Sequence, residues 1–230
     1  MNGPFAIQSP SVRYRHMAQL VKWSGATTII EIGSWLGASA IAWAKAMEDQ
    51  GKSGLVWCVD PWKPYDAGKG GNVGEMVQAL QDGDSIYETF RENVKAAGVE
   101  RCIGTMREEF AIASEYLRWH LVDLIYLDGN HHHPAPFNDL AIIRDHQQEG
   151  LVICGDDLEA MIGVNVSLEQ CLADKDYDCA GLPNGGWYHP GVTLAVYRLL
   201  ANDVTVYDGF WIAGQCDMYG EGRDDKADTM

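Results

Sequence analysis

The feature that most constrains this chain is the alternation of short, unbroken apolar runs with longer stretches of helical periodicity. Thr28 to Ile32, Leu55 to Val59, Val122 to Leu127 and Leu151 to Cys154 are apolar or β-branched runs with no polar residue at every second position, interrupted only by the single acids Glu31 and Asp123. Strands of that kind are buried on both faces, the condition of a parallel sheet covered by helices. The intervening Gly37 to Gln50, Ser85 to Ala97, Arg107 to Trp119 and Pro136 to Gln148 carry the helical spacing, and Arg101 to Gly104 supplies a further short strand. The pattern predicts a doubly wound, Rossmann-like α/β sheet. An N-terminal helix from Ser9-Pro10 to Gly25 precedes it. At the C-terminal end a helix over Gly191 to Ala201 leads into Val204 to Tyr207 and Phe210 to Ala213, joined by Asp208-Gly209. An Asp-Gly between apolar runs favours a hairpin, hence an antiparallel pair at the sheet edge.

At 230 residues the chain suits one full-sized core, and one domain is expected. Two segments match no element: residues 61–84 and 158–190, both rich in glycine. Each follows the carboxyl end of a strand, where open α/β sheets bind ligands, so both read as substrate-covering loops. From Asp217 onward the chain is polar and reads as a mobile tail.

Acidic side chains outnumber basic ones 33 to 17, for a formal net charge of −16. A surface of that sign repels polyanions and argues against a nucleic-acid partner. No apolar run approaches the ~20 residues of a membrane span, and no basic start leads into an apolar segment as a secretory signal would. The cysteines Cys58, Cys102, Cys154, Cys171, Cys179 and Cys216 form no C-x-x-C pair. A reduced, cytoplasmic chain is the expectation. The N-terminal helix, packed beside the first strand or donated to a neighbour, would be the contact of a homo-oligomer.

The chemistry-bearing residues sit at strand ends. The first turn reads Glu31-Ile32-Gly33-Ser34-Trp35-Leu36-Gly37-Ala38-Ser39. Gly33 would let backbone approach a ligand, and Gly37 would start the helix tight against the strand with its N–H groups free. The spacing is G-x-x-x-G, not the G-x-G-x-x-G of dinucleotide binders, and Glu31 would repel a pyrophosphate. A ligand with a cationic group suits it better. Asp60, ending the second strand, is placed to accept hydrogen bonds from ribose hydroxyls, although an aspartate there also serves as a turn cap.

Asp128 ends the fourth strand and Asp156-Asp157 follow the fifth, so three carboxylates meet at one rim. Their mutual repulsion is relieved by a hard divalent cation, with magnesium, manganese or calcium favoured by oxygen ligands. Three histidines follow Asp128, but neighbours in an extended loop point in alternating directions, so His131, His132 and His133 cannot share one ion. His131 is placed to remove a proton from a substrate hydroxyl while a metal stabilises the alkoxide. His132 and His133 read as solvated loop residues. Asp139 reads as a structural helix residue. Trp62, Tyr65, Trp187, Tyr188 and His189 are either aromatic platforms for an acceptor or plugs for their own loops.

The order Glu31-x-Gly33-x-x-x-Gly37, Val59-Asp60 and Leu127-Asp128 resembles the class I S-adenosylmethionine-dependent methyltransferases. Asp128-Gly129-Asn130-His131, Asp139-Leu140 and Gly155-Asp156-Asp157 resemble, more narrowly, the metal-dependent O-methyltransferases of macrolide sugars. The likeness runs from about Thr28 to Asp157. It implies that Glu31, Gly33, Gly37 and Ser39, with Ser34 between them, contact the methionine part of the cofactor. It implies Asp60 for the ribose, Thr105 or Met106 for the adenine edge, and Asp128 at the border of cofactor and metal. It also implies a general base at His131 and a small hydroxylated acceptor such as a sugar, natural product or phenol. Met106 departs from the small polar residue usual there. The rival readings are a nicotinamide oxidoreductase, disfavoured by Glu31 and the missing glycine, a metal-dependent hydrolase or oxygenase using Asp128, His131 and Asp156, and a non-catalytic domain of the same fold.

Overall fold

The computed structural model describes residues 11–63 and 83–220. Seven strands form one sheet in the order β3-β2-β1-β4-β5-β9-β8, where β1 is Thr28–Ile32, β2 Leu55–Val59, β3 Ile103–Met106, β4 Leu124–Leu127, β5 Val152–Gly155, β8 Val204–Tyr207 and β9 Phe210–Ala213. The first five are parallel, and β9 and β8 join antiparallel at the edge, as the sequence pattern predicts. The hairpin turn has positive φ at both Asp208 (53°) and Gly209 (89°), the twist-matched geometry that Asp-Gly favours.

Successive residues of the parallel strands enter two cores. Ile29, Val56, Cys58 and Tyr126 face helices α1 (Ser11–Ser24), α2 (Ala38–Glu48) and α3 (Gly83–Ala97). Ile30, Ile32, Val59 and Ile125 face α4 (Phe110–Ala113), α5 (Ala135–Asp145) and α7 (Pro190–Leu200). Among the described residues no helix is long and apolar enough to cross a membrane.

The register sets up the site. Ile32 lies opposite both Val59 and Leu127, Val59 opposite Met106, and Leu127 opposite Gly155. The next residue of each strand therefore stands on one level rim: Gly33, Asp60, Arg107, Asp128 and Asp156. The order reverses between β1 and β4, the switch point where such sheets bind ligands.

Several expectations change. The helix predicted over Arg107 to Trp119 is one α-turn, Phe110–Ala113, followed by 3-10 turns at Ser114–Tyr116 and Trp119–Leu121. Leu117 is extended, and the Trp119 indole donates to the Ser114 carbonyl at 3.1 Å, meeting an acceptor that further helix would have used. β3 begins two residues later than predicted because Glu100–Cys102 forms a 3-10 turn. The 158–190 segment is ordered around a small core of Ala160, Ile162, Val166, Cys171 and Tyr188, closed by Leu194 of α7. It contains α6 (Leu168–Asp174), capped by the Ser167 hydroxyl, and the short hairpin β6 (Ala180–Gly181) and β7 (Trp187–Tyr188). Residues 217–220, read as tail, dock on α1: Met218 is buried, its carbonyl accepts from Gln19, and Tyr219 pairs with His16. The expected helix start at Ser9-Pro10, Tyr65 and most of the 61–84 segment lie outside the described residues.

Candidate active site

The first turn is a folded unit. β1 ends where Gly33 takes φ +85°, and its N–H still donates to Val59 at 2.9 Å. A Cβ on Gly33 would lie 2.1 Å from the Asp128 carbonyl oxygen and 2.4 Å from the Gly129 Cα. The close approach that requires glycine is thus that of the β4 loop. Gly37, at φ +88°, likewise leaves room for the Phe90 ring, 2.9 Å from where its Cβ would stand.

Asp60 stands where the sequence places it, at the end of β2, and organises this turn. One carboxylate oxygen accepts from the N–H groups of Ser34 (2.9 Å) and Trp35 (2.8 Å), the other from Trp62 (2.5 Å). A carboxylate offers about four acceptor positions, so roughly one remains for a ligand hydroxyl. Burial pushes the Asp60 carboxyl up, against the pull of those three N–H groups. The turn-cap role and a ligand role coexist in one side chain.

Glu31 lies fully buried beneath the turn. Its Oε2 accepts from the Ser34 hydroxyl, and its Oε1 has no hydrogen-bond partner among the described residues. Burial pushes its carboxyl up to about 7, with Ser34 and Ser39 offsetting part of that rise. Ser39, buried in the first turn of α2, completes the cradle. Thr105 and Met106 close its far side: the Thr105 hydroxyl bonds Tyr87 at 3.0 Å, and the Met106 carbonyl accepts from Asp60 N–H. Trp62 is a plug, buried against Tyr87 and Phe90. Tyr188 is also buried, whereas Trp187 is 68% exposed.

On the other side of β1 the acidic rim divides into two groups. Asp128 accepts from the Tyr126 hydroxyl at 2.9 Å and from Arg13 Nη1 at 3.2 Å, and Arg13 Nη2 pairs with Asp156. Asp157, beyond the end of β5 and at φ +63°, contacts His131 Nε2 at 2.9 Å and lies 3.8 Å from His189 Nδ1. His131 Nε2 is also 3.9 Å from Asp128, and its Nδ1 is 3.3 Å from Asp178. His189 pairs with Glu159 at 3.1 Å. Gly191 packs α7 on this loop, since a Cβ there would lie 2.0 Å from the His131 carbonyl oxygen.

The ionisation follows the grouping. Burial, then Asp157 and Asp128, push Asp156 up to about 8 despite Arg13. Burial also acts to raise Asp157, but His131, His189 and Arg13 outweigh it and hold the carboxyl below its usual range. Burial disfavours a charged His131, yet Asp157, Asp128 and Asp178 together raise it well above an ordinary histidine. Asp139, in α5, is pushed up to about 7 by burial and by Glu109.

Three overlapping donor sets could each hold an ion: Asp128 with His131 and Asp157; His131 with Asp178 and His189; and Asp157 with Glu159 and His189. Of the three expected metal ligands the fold gathers Asp128 and Asp157, while Asp156 turns to Arg13. His132 and His133 join none of these sets. Arg13, Asp178, Glu159 and the ionic role of His189 have no counterpart in the sequence reading. Arg13 is 115 residues from Asp128 with no pattern linking them, and the others lie in a segment without periodicity. The two carboxylates of the first set suit a divalent cation, with the His131 imidazole beside them. The glycine turn, the residual acceptor of Asp60 and the unpartnered Glu31 oxygen suit an adenosyl ligand with a cationic end.

Fold and site together define a doubly wound domain with a glycine turn over Asp60 and the buried Glu31 on one side of β1 and an acidic rim on the other. Residues 30–158 match the model of the methyltransferase domain family, and the chain belongs to that family. It is a methyltransferase. No curated protein matches it in sequence. Among solved structures it is similar to TomG of Streptomyces achromogenes, an O-methyltransferase involved in tomaymycin synthesis, in complex with SAM. The identity is 19%, covering 90% of this chain and 80% of that one, with a TM-score of 0.57. It is also similar to an O-methyltransferase of Bacillus cereus in complex with SAH (19% identity, 91% and 82% covered, TM-score 0.53). A third is CalS11, a TDP-rhamnose 3'-O-methyltransferase of calicheamicin biosynthesis (15%, 89% and 80%, TM-score 0.53). At these identities the likeness speaks for the fold.

Proposed function

We propose that the chain is an S-adenosylmethionine-dependent O-methyltransferase that acts on a small hydroxylated molecule with the help of a divalent cation, Mg2+ first among them. The observation that carries this reading is the placement of His131, its Nε2 between Asp157 and Asp128 on the rim next to the glycine turn. The O-methyltransferase activities of TomG, CalS11 and the Bacillus cereus enzyme support the same chemistry.

When bound, the cofactor supplies an electrophilic methyl group, and the cation supplies positive charge that polarises the acceptor oxygen and offsets the carboxylates holding His131 protonated. The turn from Gly33 to Gly37 and the remaining acceptor of Asp60 would hold the cofactor, and the buried Glu31 carboxyl would supply negative charge for its cationic group. Asp128 and Asp157 hold the cation. Neutral His131 takes the acceptor hydroxyl proton at Nε2 while Asp178 holds Nδ1, so the ring is oriented from behind as general-base histidines usually are. Positioning and preorganised charge provide most of the acceleration. The acceptor is a sugar, natural product or phenol. Nucleic acid is disfavoured by the −16 charge, and a cytoplasmic location fits buried cysteines such as Cys58, Cys154 and Cys171 that stay reduced.

Calorimetry of the purified chain with S-adenosylmethionine and S-adenosylhomocysteine, with and without Mg2+ and with NAD as control, tests the reading. Binding of the adenosyl ligands on the order of micromolar, and none of NAD, is expected. NAD binding without adenosyl binding overturns it.

A further inference from the structure

Arg13 is the one residue of α1 that reaches the acidic rim among the described contacts, and the helix is built to deliver it. Arg13, Met17 and Leu20 recur at spacings of four and three, so they share a face. Met17 and Leu20 are fully buried in the core against α2, which aims the Arg13 side chain along the same face. There its guanidinium forks, Nη1 to Asp128 Oδ2 at 3.2 Å and Nη2 to Asp156 Oδ2. Asp128 is thus claimed twice, by Arg13 on one side and by the His131 and Asp157 donor set on the other.

Resting on the divalent cation of the proposed function, we propose that Arg13 is a built-in counter-ion that competes with that cation for Asp128 and Asp156, so that cation loading and docking of the first turn of α1 oppose each other. Two positive centres cannot share these carboxylates without mutual repulsion in a largely buried site. With Arg13 in place Asp156 is engaged by the guanidinium; with Arg13 withdrawn, the negative charge of Asp128 and Asp156 is left to the ion alone. Arg13 acts through the carboxylates of Asp128 and Asp156, so its role is positioning. Because coupling is reciprocal, the factor by which removing Arg13 tightens the cation equals the factor by which the cation weakens Arg13 docking.

The test uses the full chain stripped with a chelator, with no cofactor or acceptor, and Mn2+ read by electron paramagnetic resonance. Arg13→Gln is expected to bind Mn2+ at least about tenfold more tightly than the unmodified chain, with Arg13→Lys between them. Unchanged or weaker binding by Arg13→Gln, with Mn2+ still held by the unmodified chain, overturns the proposal and leaves the cation reading intact. Absence of Mn2+ binding in all three overturns both. Should the variants fail to fold, hydrogen exchange of the unmodified chain decides: Mn2+ is expected to lower the protection of amides in residues 14–18, and unchanged or higher protection overturns the proposal.

Discussion

Asp60 shows how one side chain serves two levels of organisation, ending a strand and gathering three N–H groups of two loops. Neighbouring residues divide their work in the same way. Gly33 must be glycine because of the β4 backbone, so Gly33→Ala is expected to cost about 3 kcal/mol or more, from left-handed strain plus a clash with atoms that cannot rotate away. Urea unfolding of the purified variant measures this, and a loss under about 1 kcal/mol would show that the β4 loop yields. His131→Ala is expected to lower kcat by about 10²–10⁴ while S-adenosylhomocysteine affinity stays within about twofold. A parallel fall in cofactor affinity would place His131 in the cradle instead of at the acceptor. The strand-end acids Glu31, Asp60, Asp128 and Asp156 were legible as residues because each directly adjoins or ends an apolar run. Their partners were not, because a side-chain contact across the fold leaves no trace in local spacing.

At the scale of elements, the parallel strands and the edge hairpin were readable because burial on both faces and the Asp-Gly turn are local in sequence. The hairpin isolates a backbone effect. A Cβ on Gly209 would meet nothing closer than 3.9 Å, yet its φ is +89°. Gly209→Ala is therefore expected to cost about 1–2 kcal/mol with no change in cofactor binding, by urea unfolding and calorimetry. The helix predicted after β3 broke into short turns because the Trp119 indole and an extended Leu117 outcompeted the helical pattern. The segment 158–190 escaped the sequence reading for a related reason. Its core is assembled from single apolar residues of irregular loop, a two-residue strand and a seven-residue helix, none long enough to show a period, and is closed by Leu194 of α7.

At the scale of the whole molecule, buried acids tie stability to pH. Glu31 and Asp139 rise from ordinary values of 4.5 and 3.8 to about 7 in the folded chain. Between those limits the folded state binds more protons than the unfolded one, so stability is fullest below about pH 4 as far as these two groups are concerned and declines as pH rises to about 7. Asp139→Asn removes one of them and is expected to flatten that decline and to raise stability at about pH 8, in urea unfolding of chelator-treated protein from about pH 5 to about pH 8. An unchanged slope would mean that the Asp139 carboxyl is hydrated. By itself the sequence determined the sheet, its mostly parallel sense, the edge hairpin and the acids at its carboxyl rim, because burial periodicity and strand ends are properties of neighbouring residues. Only the tertiary structure decided which of those acids face one another, which way Asp156 and Asp157 turn, and that Arg13, Asp178 and His189 stand among them. Charges interact through space according to distance and burial, and those are set by packing between elements remote in the chain.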